Sequence, residues 1–161
     1  MNYRSDRQRV EAMLIPQMVL GVLICGVNDP NHPDAVAAKQ LLVDACEEAL
    51  IGVGEPQRSK LIRRMVRVHE EVTGPYKKEG HRVDKVGVIV YFLIKAVTDW
   101  DYMVIGNGSA FQRALDLFMP AIEHTTDDKL KPLFDSARKQ ARKVLDHLQQ
   151  LGYFSSVPFS P

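Results

Sequence analysis

Two stretches of the chain, "MLIPQMVLGVLICGV" from Met13 and "VGVIVYFLIKAVTDWDYMVIGNG" from Val86 to Gly108, are apolar on most sides of a helix. A helix of that kind must be enclosed by other elements or by lipid. Lipid is disfavoured for both, because the first run is shorter than the roughly 20 residues of a bilayer span and the second carries Lys95, Asp99 and Asp101. A chain of 161 residues has room for roughly one fully enclosed helix, given its surface-to-volume ratio. One of the two runs must therefore find its cover elsewhere.

Stepping about 100° per residue around the second run places Asp84, Tyr91, Lys95, Thr98, Asp99 and Tyr102 on one narrow stripe. Val86, Ile89, Val90, Leu93, Val97 and Trp100 cover the rest, which predicts a central helix with one wet edge. Lys95 and Asp99 stand four apart and can pair along that edge. Asp101 falls on the apolar side near the helix C-terminus, where a negative charge needs a partner such as an arginine or free backbone N–H groups. In the first run, Leu14, Ile15, Met18, Val19, Leu20, Val22, Leu23 and Ile24 surround the whole axis. With the central place taken, part of this helix is expected to meet a second copy of the chain, so that a homodimer forms through the first helix.

Punctuation sets the number of helices. Ser5 with Gln8, Ser109 with Gln112 and Thr125 with Asp128 fit the pairing that caps a helix start. Pro33 and Pro56 suit first-turn positions, and Gly52, Gly74 before Pro75, Gly106 and Gly152 suit left-handed stops. Six helices are predicted, near residues 5 to 25, 33 to 51, 56 to 73, 83 to 105, 109 to 123 and 127 to 151. Pro16, Pro120 and Pro132 fall inside them and should kink or divide the helix. No strand alternation, repeat or linker competes, so the expected fold is all-α: one domain over residues 1 to 161, a bundle of about six helices with the helix near 83 to 105 central.

Export is disfavoured, although Arg4, Arg7 and Arg9 precede the first apolar run in the manner of a signal peptide: Asp6 and Glu11 sit in the would-be basic region, and no clean small-x-small site follows. Cys25 and Cys46 are too few for a disulfide framework and, in an antiparallel helix pair, too far apart to bridge. Free thiols and a cytoplasmic location without membrane contact are expected.

No cofactor or metal motif is found. His32, His69, His81, His124 and His147 form neither His-x-x-x-His nor Glu-x-x-His, and "DPNHPDAV" lacks the glycine and glutamate of a calcium loop. "GVGEPQRSK" lacks the Gly-Lys-Ser/Thr ending of a phosphate loop. His69 is predicted to face the core and, with Tyr91, Lys95, Asp99 and Asp101, makes up the candidate lining of a small-ligand or enzymatic pocket. Charge is uneven despite a net +1: residues 56 to 95 hold ten Lys and Arg against four Asp and Glu. Lys60, Arg63, Arg64 and Arg67 lie opposite Leu61 and Met65, and Lys77 and Lys78 follow, so residues 58 to 82 form a candidate nucleic-acid-binding face, interrupted by Glu70 and Glu71. These features predict a non-enzymatic helical interaction or regulatory protein acting as a homo-oligomer. The alternatives are a nucleic-acid-binding protein, an acidic protein as partner of the same face, or a ligand-binding protein or enzyme.

Overall fold

The computed structural model describes residues 5–26, 29–78, 83–104 and 110–154, with side chains described for 5–24, 29–74, 86–97, 110–123 and 131–154. All its elements are helices: α1 (Asp6–Gly26), α2 (Pro33–Ala49), α3 (Gln57–Lys78), α4 (Val83–Val104) and α5 (Ala110–Gln150). The start of α1 is a reciprocal box, with Ser5 N–H donating to Gln8 Oε1 (2.9 Å) and Gln8 N–H donating to Ser5 Oγ (3.1 Å). Pro33 opens α2, where His32 Nδ1 accepts from the Asp34 N–H (3.1 Å). Gly74 and Pro75 do not stop α3 as expected; it continues to Lys78.

At 41 residues, α5 would be about 60 Å long if straight. Its ends instead meet at the same end of the molecule. The Ala110 N–H donates to Glu48 near the end of α2 (2.8 Å), and the Phe154 N–H, just past α5, donates to Glu11 near the start of α1 (2.9 Å). Arg9 Nη1 joins those two regions by donating to the carbonyls of Ala49 and Ile51. Helix α5 therefore doubles back between Ile122 and Phe134, into a first arm (110–123) and a second arm (131–150). Pro120 and Pro132, which lack the N–H of a helical turn, bracket the reversal. With the arms counted separately, the six predicted rods are present.

The enclosed helix is α1, not α4. Helices α2, α3, α4 and α5 all pack on it, and Val10, Met13, Leu14, Val19 and Leu20 are each no more than 1% exposed. Each such aliphatic side chain contributes about 1.5 to 3 kcal/mol of transfer free energy. Helix α4 belongs to the surrounding ring, because its Tyr91–Lys95 edge needs water whereas α1 has no polar stripe. The expectation that α1 requires a second copy thereby loses its basis: Val19, Val22 and Leu23 are covered within the chain.

Neighbours in the ring are identified by specific contacts. The first arm lies beside α2, where Arg113 pairs with Asp44 (3.3 Å), and meets α4 at Gly87, where a Cβ would come within 2.6 Å of Ile122 Cδ1. The second arm lies on the other side of α4, with Phe134 edge-on to Phe92 at 5.5 Å between ring centroids. Helix α3 follows, tied to the second arm by Glu71 and His147 (3.2 Å). Between α3 and α2 the ring closes only at the base, where Arg58 pairs with Glu47 (2.7 Å).

The second arm ends in a Schellman motif: Tyr153 N–H donates to the Leu148 carbonyl, Gly152 N–H donates to that of Gln149, and Gly152 has φ +91°. This turn sets Tyr153 and Phe154 into the core, where Glu11, only 2% exposed, accepts the Phe154 N–H. Burial raises the Glu11 pKa above the usual glutamate range, opposed by the Phe154 N–H and by Arg7. A carboxyl whose pKa is raised on folding stabilises the native state below its unfolded pKa, and that contribution is lost as pH rises through the folded value. Glu11→Gln keeps an acceptor for Phe154 and should remove this pH-dependent loss, making the variant at least as stable as the parent at neutral pH. Glu11→Ala should cost about 1 to 3 kcal/mol by leaving a buried N–H without a partner. Denaturant titrations from pH 4 to 8 measure both, and equal losses for Gln and Ala at neutral pH would contradict the role assigned to Glu11.

Candidate phosphate-binding surface

Helix α3 is strongly amphipathic, and this sorts its cations. Leu61, Met65, Val68 and Val72 are buried against α1, which turns Lys60, Arg63 and Arg67 outward along one exposed line. None of these three forms an ion pair among the described residues. Arg64 is different: its guanidinium lies over the Tyr153 ring, 5.3 Å from the centroid, and its charge opposes the upward shift that burial imposes on the Tyr153 pKa. Of the predicted basic face, Arg64 thus serves mainly to cover the C-terminal turn. Lys77 and Lys78 lie in the last turn of α3, but their side chains fall outside the described set.

The fold adds cations that the linear pattern did not reveal. Lys131, Lys139, Arg142 and Lys143 of the second arm are exposed and form no ion pair among the described residues, and this arm lies beside α3. Arg138 is not of their kind, since its guanidinium sits over Phe92 at 5.3 Å and its Nε is buried. Among described side chains, α3 and the second arm together hold ten Lys and Arg against Glu70, Glu71, Asp135 and Asp146, or +6. Residues 29–56 and the first arm hold two against eight, or −6. Two of the arginines near the acidic flank are engaged there, Arg113 with Asp44 and Glu48 and Arg58 with Glu47. Cations of the basic flank therefore face solvent largely uncompensated by carboxylates among the described residues, which gives the molecule one basic and one acidic side.

The pocket predicted around Lys95 is only partly assembled. Lys95 is exposed, with Nζ 5.0 Å from the Tyr91 ring centroid, and borders a cavity of about 370 Å³ between α4 and the first arm. Its lining is Ile94, Leu115, Met119 and Pro120 with Gln112 and Asp116, the last two joined by a hydrogen bond of 3.1 Å. A lysine and a carboxylate at one rim offset each other, so the cavity favours neither sign of ligand charge. His69 is not part of it. That residue sits half-buried on α3 facing the opening towards α2, and its carbonyl accepts from Thr73 Oγ1 (2.7 Å); it was expected deeper because Val66, its apolar neighbour on that side, is in fact exposed. The side chains of Asp99 and Asp101 lie outside the described set.

Cys46 is a free thiol on α2, half-buried, with Sγ 3.9 Å from Gln17 Nε2. Burial, then Glu47, push its pKa up, while Arg58 and Gln17 act in the opposite sense. It is held as an unreactive thiol. Among the described residues, no group of three or more His, Cys, Asp or Glu side chains is placed to hold a metal ion, and no helix is long and apolar enough to cross a membrane. No family profile, no curated protein and no solved structure matches the chain.

The division of labour between Arg64 and its neighbours has a direct test. Arg64→Ala should lower stability by about 1 kcal/mol through loss of the contact with Tyr153. Arg63→Ala and Arg67→Ala should stay within about 0.5 kcal/mol of the parent in the same denaturant titration. Equal effects at all three positions would mean that Arg64 belongs to the open surface after all.

Proposed function

We propose that this protein is a non-enzymatic binding module that carries a nucleic acid by its phosphate backbone on the flank formed by α3 and the second arm of α5. The observation that carries the reading is the set of seven exposed cations that form no ion pair among the described residues: Lys60, Arg63 and Arg67 on one helix, Lys131, Lys139, Arg142 and Lys143 on its neighbour. Such side chains neutralise phosphates and release condensed counterions, which supplies affinity without reading bases. Neighbouring packed helices lie about 8 to 10 Å apart, so their two rows of cations can follow one backbone. Glu70 and Asp146 on the same flank limit the affinity, and the acidic α2 side orients the module so that a single face meets the polyanion.

Retention on DNA or RNA at low ionic strength is expected, with log K falling linearly as log salt rises. Each of Arg63→Ala, Arg67→Ala and Lys143→Ala should weaken binding similarly across sequences and reduce the slope by about 0.7 to 0.9. Fluorescence anisotropy at several salt concentrations reads both quantities. Absence of binding by the parent at low salt, or a triple variant that binds like the parent, would overturn the proposal.

A further inference from the structure

Beside the basic flank, the fold assembles an aromatic edge. Phe134 and Arg138, one turn apart on the second arm, both meet Phe92 of α4: the Phe134 ring stands edge-on to it at 5.5 Å, and the Arg138 guanidinium lies over it at 5.3 Å. These contacts fix which side of the second arm faces α4. Lys131 lies three residues before Phe134 and Arg142 four after Arg138, on the same ridge, so both of these exposed cations border the seam with α4. Asp135 and Asp146 stand beside them towards the outer face, with no ion pair to them among the described residues. Across the seam, the half-buried Tyr91 stands edge-on to Phe92 at 5.4 Å. Lys95, which is exposed, holds its ammonium 5.0 Å from the Tyr91 ring centroid. The ring face under that lysine is therefore the one turned to solvent, and its cover is a flexible side chain.

We infer that the nucleic acid held on this flank is single-stranded, with its backbone on the cations of the second arm and an unstacked base laid on the Tyr91 ring. The inference rests on the phosphate-binding reading and adds the class of nucleic acid to it. Packed helices lie about 8 to 10 Å apart, so a backbone that follows the second arm passes the Tyr91 edge of α4 within reach of a nucleotide's base. A row of cations with an aromatic ring beside it holds single strands of any sequence, because every base has a π-face to stack. A duplex cannot use the ring in this way, since its bases are stacked on one another and must be flipped out at a cost of a few kcal/mol. Lys95 takes part in the exchange. When a base replaces its ammonium on Tyr91, the contact between cation and ring is lost and the ammonium is released to a neighbouring phosphate.

Fluorescence anisotropy of the whole chain with a labelled oligothymidylate of about 16 nucleotides, and with a duplex of the same length, separates strand preference from phosphate binding. At equal salt the single strand should bind more tightly than the duplex. Tyr91→Ala should weaken single-strand binding about 5- to 150-fold while duplex binding stays unchanged, and Tyr91→Phe should bind like the parent. Lys95→Ala, at an exposed position, should reduce the salt slope for the single strand by about 0.7 and leave that for the duplex unchanged. A duplex bound as tightly as the single strand would overturn the inference and leave the phosphate reading standing. So would a Tyr91→Ala chain that binds the single strand like the parent or that loses both ligands equally. Should circular dichroism show Tyr91→Ala to be unfolded, Lys95→Ala decides alone, and an unchanged single-strand slope then overturns the inference. Binding of neither ligand by the parent would remove both readings together.

Discussion

The enclosure of α1 is the constraint on which the other features depend. Its apolar residues cover its circumference too fully for a two-layer packing, so cover must come from several directions. Four helices with one of them doubled back supply five rods, enough to surround most of a single cylinder. The doubling of α5 follows from this need. A straight helix of 41 residues would cover one side of α1 and project far beyond it, whereas two arms cover two sides. Glu11 then has a defined place: the only charged side chain buried in the core among the described residues holds the end of the last rod onto the start of the first.

The same arrangement distributes charge. Once every helix commits its apolar face to α1, its charged residues turn outward, and ring order alone decides which of them become neighbours. Residues 29–56 and the first arm bring eight carboxylates together, while α3 and the second arm bring ten cations together. A net charge of +1 conceals this separation completely. The result is one basic and one acidic side on the same small molecule.

Much of the local structure was legible in the sequence, because the signals concerned are themselves local. The Ser5–Gln8 box, Pro33 at the start of α2, and the left-handed Gly52 and Gly152 follow from the chemistry of a few consecutive residues. Gly74–Pro75 misled, since α3 continues past it. Which apolar helix would be enclosed was not legible, because α1 and α4 both read as candidates; the exposed Lys95 and half-exposed Tyr91 on α4, against the lack of such an edge on α1, decide it. The basic surface was half legible. Lys60, Arg63 and Arg67 stand out on one helix, but Lys131, Lys139, Arg142 and Lys143 fall outside the basic stretch from 56 to 95, and nothing in the chain order says that the second arm returns beside α3. Arg64 was misassigned for the related reason that Tyr153, which it covers, lies 89 positions away in the chain.

Native-state hydrogen exchange followed against denaturant tests the enclosure of α1 most directly, since amides in an enclosed helix exchange only when the whole domain opens. Amides from Met13 to Leu20 that retain a partner within α1 should exchange with the free energy and denaturant dependence of global unfolding, alongside or later than any in α4. Exchange of those amides through local opening, ahead of the buried stretch Val88 to Leu93 of α4, would contradict the enclosure of α1.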